Sequence, residues 1–172
     1  MKKYIPVLCI VFLGLVLSYA TINKAENGIK THLNGTQVEE IYLPPLYGDK
    51  VFNNAIFKTG DWKILNIWAS WCVPCHIEHA YLKQLSKIVP IYGITYRDIP
   101  TDSKAFLNKM GNVYTKVGVD INGDVSIPLG VVSVPETYVI DKYGVIQFKY
   151  VGALNQRIIN TYIRPLIEDD DE

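Results

Sequence analysis

Hydrophobic and polar positions change period several times along this chain. Behind Lys2 and Lys3, residues 4–20 are uncharged and mostly apolar, whereas residues 21–37, "TINKAENGIKTHLNGTQ", are polar and carry glycines and asparagines, as a tether would. "KILNIW", Lys63 to Trp68, is a nearly continuous apolar run of strand length, the pattern of a central strand covered on both faces. From Val73 to Val89 the period becomes helical, with Ile77, Tyr81, Leu85 and Ile88 recurring and Pro90 following. "IYGITY", Ile91 to Tyr96, predicts a second strand, and "TDSKAFLNKM" after it predicts a helix entered through a Thr or Asp cap. Strand, helix, strand in this order implies a parallel, right-handed crossover. The next clear strand is "ETYVID", joined by a turn at "KYG" to "VIQFKYV", where Ile146, Phe148 and Tyr150 alternate with more polar neighbours as in an antiparallel hairpin. A last helix fits Leu154 to Ile167, with Leu154, Ile158, Tyr162 and Leu166 spaced by four, and "EDDDE" closes the chain as a solvated tail. The order is β-α-β followed by β-β-α, an α/β arrangement with no internal repeat.

The first 20 residues read as an export signal. The apolar run lies at the short end of what spans a bilayer, and the lysines favour a cytoplasmic N-terminus, so retention as an anchor is expected. Ser18, Tyr19 and Ala20 form a small-x-small site at which cleavage is the alternative. Either way the remainder is delivered outside the cytoplasm, where disulfides persist. The expected organisation is an anchor over 1–20, a linker over 21–37, one domain over 38–167 and an acidic tail over 168–172. Length changes nothing in this picture, since 172 residues suit a single domain. Charge removes one class of function: 17 basic and 17 acidic residues cancel, leaving no whole-molecule field to gather nucleic acid.

Of the three cysteines, Cys9 lies within the apolar run and reads as a small membrane-embedded hydrophobe, because a lipidated cysteine would need most of that run in front of it. The exported part therefore holds Cys72 and Cys75 alone, in "WCVPCHIEH". Closing so small a loop restricts the unfolded chain little, so a chemical role is the better reading. C-x-x-C-H is also the attachment signature of c-type haem, whereas C-x-x-C within a strand and helix pattern marks a thiol-disulfide exchanger. In the predicted layout Cys72 falls in the loop after a central strand and Cys75 in the first helical turn. Unpaired N–H groups and the helix dipole stabilise a thiolate there, which makes Cys72 the expected nucleophile and Cys75 the resolving thiol. Pro74 fits an early helical position and stiffens the loop.

"W-C-x-x-C" after an apolar strand, with "SVPETYVID" further on, resembles the thioredoxin fold, in which a cis proline faces the cysteine pair; Pro135 is the matching position. More narrowly, "WCVPCHIEH" and "LGVVSVPETYVIDKYGVIQFKYVGAL" resemble the membrane-anchored cytochrome c maturation proteins of the CcmG or DsbE family of thiol:disulfide interchange proteins. The resemblance runs from about Gly35 to Leu166 and includes the N-terminal anchor. It implies a central mixed sheet flanked by helices, and a periplasmic reductant at the bacterial inner membrane that reopens disulfides in apocytochrome c or its thiol chaperone. Electrons would arrive through a membrane donor of the DsbD or CcdA type, with the Cys72–Cys75 pair as the redox centre and no separate cofactor. The family's acidic residues map onto Glu78 and Glu136, candidate tuners of the redox potential, since a nearby carboxylate opposes thiolate formation; the alternative for both is solvated surface charge. Val134 and Pro135 would hold the substrate chain by strand-like hydrogen bonds, and Trp71 would shield the sulfurs or simply pack. One departure is the order Val73–Pro74, where the close family pattern has proline first; here the motif resembles other extracytoplasmic reductases. The residues alone leave the direction of electron flow open, because reductants and oxidants share the scaffold.

Three rival readings use the same stretch. Haem attachment would consume both thiols, take His76 as an iron ligand and want a second ligand, for which Met110 is the available methionine. Zinc could draw on Cys72, Cys75, His76 and His79, but structural zinc usually recruits its second ligand pair from farther along the chain. A non-catalytic chaperone of the same fold would have no need of both sulfurs. His76 is otherwise a residue of the site's rim, and His79 a partly buried polar residue rather than a catalytic base.

Overall fold

The computed structural model describes residues 35–168, together with 11–16 and 18, which are helical. The rest of the expected anchor, most of the linker and the last four tail positions lie outside the described residues. Among the described residues no helix is long and apolar enough to cross a membrane. The end of the expected linker already belongs to the fold: Gly35 N–H donates to Ile146 O at 2.7 Å, and Gln37 bridges Val145.

Strand β3, Lys63–Trp68, is the organising element, and all of its residues are buried, as its apolar run requires. It sits at the middle of a five-stranded sheet, between β4 (Ile91–Tyr96) and β6 (Glu136–Ile140). β5 (Lys116–Asp120) and β7 (Ile146–Val151) form the edges. β3 and β4 pair in parallel, as do β4 and β5, whereas β6 runs antiparallel to both β3 and β7, so the sheet is mixed. Helices α1 (Val73–Leu85), α2 (Pro100–Met110) and the C-terminal α3 (156–168) complete the β-α-β and β-β-α units. One core joins Ile64, Trp68, Leu82, Phe106, Val139 and Ile163; the other joins Leu65, Ile67, Tyr138 and the N-terminal hairpin of β1 (Tyr42–Leu43) and β2 (Phe52–Asn53).

Several elements depart from expectation. β5 carries no long apolar run; it is held by parallel pairing with β4 and by the hairpin lying over it. Gly118 is required at that approach, because a Cβ there would lie 2.9 Å from Phe52 Cγ. The buried face of α1 is not the one marked by Ile77 and Ile88, which are exposed, but Cys75, Glu78, His79, Leu82 and Leu85. Two polar residues occupy that face because each finds a hydrogen-bond partner inside. α2 begins earlier than its Thr or Asp cap would place it: Ile99 is the N-cap and Pro100, needing no amide partner, takes the first turn. In β7, Lys149 is buried while Phe148 and Tyr150 are only partly so, a departure from simple alternation that a buried carboxylate explains. α3 contains a π-helical turn, Ile159–Ile163, between α-helical Gln156–Ile158 and Arg164–Glu168. The extra residue in that turn lets Ile158, Ile159 and Ile163 share the core and moves Tyr162 out of it, against the expected spacing of four.

Candidate active site

β3 ends at Trp68 and the chain turns through Ala69, Ser70 and Trp71 into α1, whose N-cap is Cys72. Cys72 has extended backbone angles, φ −85° and ψ 104°, and its sulfur accepts the Cys75 N–H at 3.2 Å. The carbonyl of Cys72 accepts that same N–H at 3.1 Å and His76 N–H at 3.4 Å. Pro74 lies within the first turn, where its missing N–H costs nothing. Cys72 and Cys75 are joined as a disulfide with an S–S distance of 2.07 Å, and both are buried. A sulfur at this position lies where the helix dipole and the Cys75 N–H favour negative charge.

The second arm of the site arrives from β6. Ile67 pairs with Glu136 in antiparallel register, so Val134 and Pro135 reach the end of the sheet from which the cysteine loop departs. The Val134–Pro135 peptide is cis, Pro135 O accepts Gly152 N–H at 2.8 Å, and Val134 packs against both cores. Trp71 is 58% exposed, and its indole N–H donates to Arg97 O at 3.1 Å.

Both expected carboxylates are fully buried, which removes the reading of solvated charge. Glu78 lies one turn beyond Cys75 on the same face of α1. Its Oε1 accepts Asn66 Nδ2–H at 3.0 Å and its Oε2 accepts Leu154 N–H at 2.9 Å. Burial pushes its carboxyl up to about 7, with those two hydrogen bonds pulling the other way. Asn66 in turn donates to Thr137 Oγ1 at 3.1 Å and accepts Tyr114 O–H at 2.8 Å, so a polar network lies inside the core. The Tyr114 hydroxyl is held well above the usual tyrosine range by burial, with the Glu78 charge adding to it.

Glu136 is partnered differently. Its Oε2 meets Lys149 Nζ at 2.9 Å and accepts Tyr138 O–H at 2.8 Å. Its Oε1 accepts the N–H groups of Val132 and Ser133, at 2.7 and 3.1 Å, in the loop leading to Pro135. Lys149 also donates to Gly130 O at 2.6 Å. Nothing in the local sequence around Lys149 points to this role; the signal is its place opposite Tyr138 in the hairpin.

The histidines are held by the protein. His76 Nε2–H donates to Ser70 O at 2.8 Å and its ring stands edge-on to Phe106. His79 Nε2–H donates to Gly111 O at 2.7 Å, Nδ1 is buried without a partner, and burial lowers its pKa. Among the described residues no group of three or more His, Cys, Asp or Glu side chains is placed to hold a metal ion. Met110 packs against the core, at the helix end. No local signal marks Asp98, whose buried carboxylate accepts Ser70 N–H at 2.6 Å and Ser70 O–H at 2.8 Å across a separation of 28 residues.

Comparison with known proteins agrees with this geometry. The Redoxin family matches residues 34–163. The thiol:disulfide interchange protein DsbE of Haemophilus influenzae is 32% identical over 98% of this chain and 97% of its own. HelX of Rhodobacter capsulatus, also a thiol:disulfide interchange protein, is 36% identical over 82% of this chain and 81% of its own. The thioredoxin domain of a thiol-disulfide oxidoreductase from Bacteroides vulgatus superposes with a TM-score of 0.68 at 20% identity, covering 80% of this chain and 99% of that domain, and so shares the thioredoxin fold. A cysteine pair capping the helix after the central strand, within a chain matched by these relatives over most of its length, identifies a thiol:disulfide oxidoreductase that belongs to the DsbE/HelX family, also called CcmG, of thiol:disulfide interchange proteins.

Proposed function

We propose that this oxidoreductase is a membrane-anchored periplasmic reductant that opens disulfides of apocytochrome c, or of its thiol chaperone, during cytochrome c maturation. The observation that carries the reading is the sulfur of Cys72 at the N-terminus of α1, within reach of the Cys75 N–H at 3.2 Å. In the reduced protein the Cys72 thiolate attacks one sulfur of the substrate disulfide. A Cys72–substrate disulfide forms and the other substrate sulfur leaves as a thiolate. Cys75, deprotonated, then attacks Cys72, the protein disulfide closes, and the substrate departs as a dithiol, two electrons richer. A membrane dithiol donor of the DsbD or CcdA type returns the pair to its reduced state.

Val134 and Pro135 hold the substrate chain beside the sulfurs, with exposed Trp71 as an apolar contact. Glu78 tunes the pair: a buried carboxylate that ionises near neutral pH opposes thiolate formation above that pH. Glu136, neutralised by Lys149, contributes less to that tuning. The apolar run behind Lys2 and Lys3 supports the anchor, with the lysines favouring a cytoplasmic N-terminus and a domain on the opposite side of the membrane.

The test is exchange with an oxidised C-x-x-C-H peptide. The reduced protein is expected to open the peptide disulfide, Cys75→Ser to accumulate the mixed disulfide through Cys72, and Cys72→Ser to do neither. Exchange that survives Cys72→Ser would remove the mechanism.

A further inference from the structure

The loop that carries Cys72 is braced from outside its own segment. Asp98, 4% exposed in the turn between β4 and α2, collects four hydrogen bonds on its carboxylate. Ser70 supplies two of them, from N–H at 2.6 Å and from Oγ–H at 2.8 Å. Ile99 N–H, at 2.9 Å, and Ser103 Oγ–H, at 2.8 Å, supply the others from the α2 side. Hydrogen bonds to an ionised acceptor are roughly twice as strong as neutral ones. The carbonyl of Ser70 is taken in turn by His76 Nε2–H at 2.8 Å, so the backbone donor, the hydroxyl and the backbone acceptor of this residue are all held.

The adjacent residue completes the brace. Arg97 has φ +47°, and among the described residues it is the non-glycine with positive φ. Such a conformation persists only where the surroundings over-determine it. Here Arg97 N–H donates to Asp120 O at 2.9 Å and its Nε–H to Asn122 O at 3.2 Å, and the resulting turn presents its carbonyl to the Trp71 indole N–H at 3.1 Å. One turn thus grips two consecutive residues, Ser70 and Trp71, immediately before Cys72.

We propose that Asp98 is a positioning residue of the exchange reaction: its carboxylate, with the Arg97 carbonyl, holds the Ser70–Trp71 segment so that Cys72 and the Trp71 contact surface keep their places when the Cys72–Cys75 cross-link opens. The brace uses no bond that the redox cycle breaks. Thiol attack depends on alignment of the reacting sulfurs, and a misplacement of about 1 Å can cost about a hundredfold in rate. Asp98→Asn keeps the volume but puts an N–H₂ group among four donors, which releases Ser70.

Two measurements test this on the full-length protein in detergent. In the wild type, the Ser70 amide is expected to exchange hydrogen slowly in both the oxidised and the reduced protein; fast exchange in the reduced protein would overturn the proposal. In Asp98→Asn, kcat/KM for an oxidised C-x-x-C-H peptide is expected to fall about tenfold or more, although loss of a nearby negative charge would by itself favour the Cys72 thiolate and lower the pH midpoint for its alkylation by iodoacetamide. Ser70→Ala should lose part of the same activity, and the double variant should lose less than the two losses multiplied. A shifted alkylation midpoint with an undiminished peptide reaction would assign Asp98 an electrostatic role instead. A lowered melting temperature with full peptide exchange would make it merely structural.

Discussion

Asn66, buried at the centre of β3, donates from Nδ2 to Glu78 Oε1 at 3.0 Å while its Oδ1 accepts the Tyr114 hydroxyl at 2.8 Å. The Tyr114 bond fixes which end of the amide faces Glu78, so the carboxylate receives dipolar partners in place of a cation. Burial then dominates and raises its pKa from 4.5 to about 7. Between those two values the folded protein holds a proton that the unfolded chain has released, so this group's contribution to stability is full below about pH 4.5 and is lost as pH rises through about 7. The loss attributable to this group is about 3 kcal/mol, since each tenfold difference in proton affinity between the folded and unfolded chain corresponds to about 1.4 kcal/mol. Urea midpoints of the oxidised protein from pH 4.5 to 7.5 should show this component, and Glu78→Gln should remove it; parallel curves for the two proteins would contradict the assignment.

The same group predicts a pH-dependent redox difference. Above about pH 7 the Glu78 carboxylate opposes the cysteine thiolates, and its removal stabilises the reduced pair. Glu78→Gln should therefore raise the reduction potential above pH 7, by about 30 mV for each tenfold change in the exchange constant. Below about pH 6 the two proteins should coincide. Potentials measured in thiol buffers at pH 5.5 and 8 decide it.

Lys149 and Glu136 are buried together at 2.9 Å, and removing one partner strands the other. Lys149→Met should cost about 3–5 kcal/mol of stability, as buried pairs do when broken from one side. The double variant with Glu136→Gln should cost much less than the sum of the single ones. Denaturant unfolding of the three variants measures both quantities.

Gly93 gives a packing test away from the cysteines. A Cβ there would lie 2.9 Å from Trp68 Nε1 and 3.0 Å from Tyr114 Cδ1, between rings stacked at 5.5 Å. Gly93→Ala should destabilise by about 1–3 kcal/mol through overpacking. A thermal melt unchanged from wild type would show that the rings yield freely.

What could be read in advance was what neighbouring residues in the chain encode. The run from Lys63 to Trp68 reads as a central strand because both of its faces are covered, and the cysteine pair reads as an exchanger because its helix start lies within four consecutive residues. Long-range partnerships were not legible. Ser70 and Asp98, or Glu136 and Lys149, meet only after the sheet is assembled. The phase of α1 misled for a related reason: Ile77 is apolar yet 62% exposed, and Glu78 is charged yet buried, because Asn66 on β3 and the Leu154 N–H satisfy it. β5 is not legible in the sequence, since its stability comes from β4 and the hairpin above it rather than from its own composition.

The most direct test of the account is the equilibrium reduction potential of the Cys72–Cys75 pair in protein freed of residues 1–20, by thiol trapping across defined redox buffers. A reductant of apocytochrome c should lie closer to the thioredoxin end of the range, about −270 mV, than to the strong oxidants at about −120 mV. A value at the oxidant end would mean that the protein inserts disulfides, and the proposed direction of electron flow would be wrong.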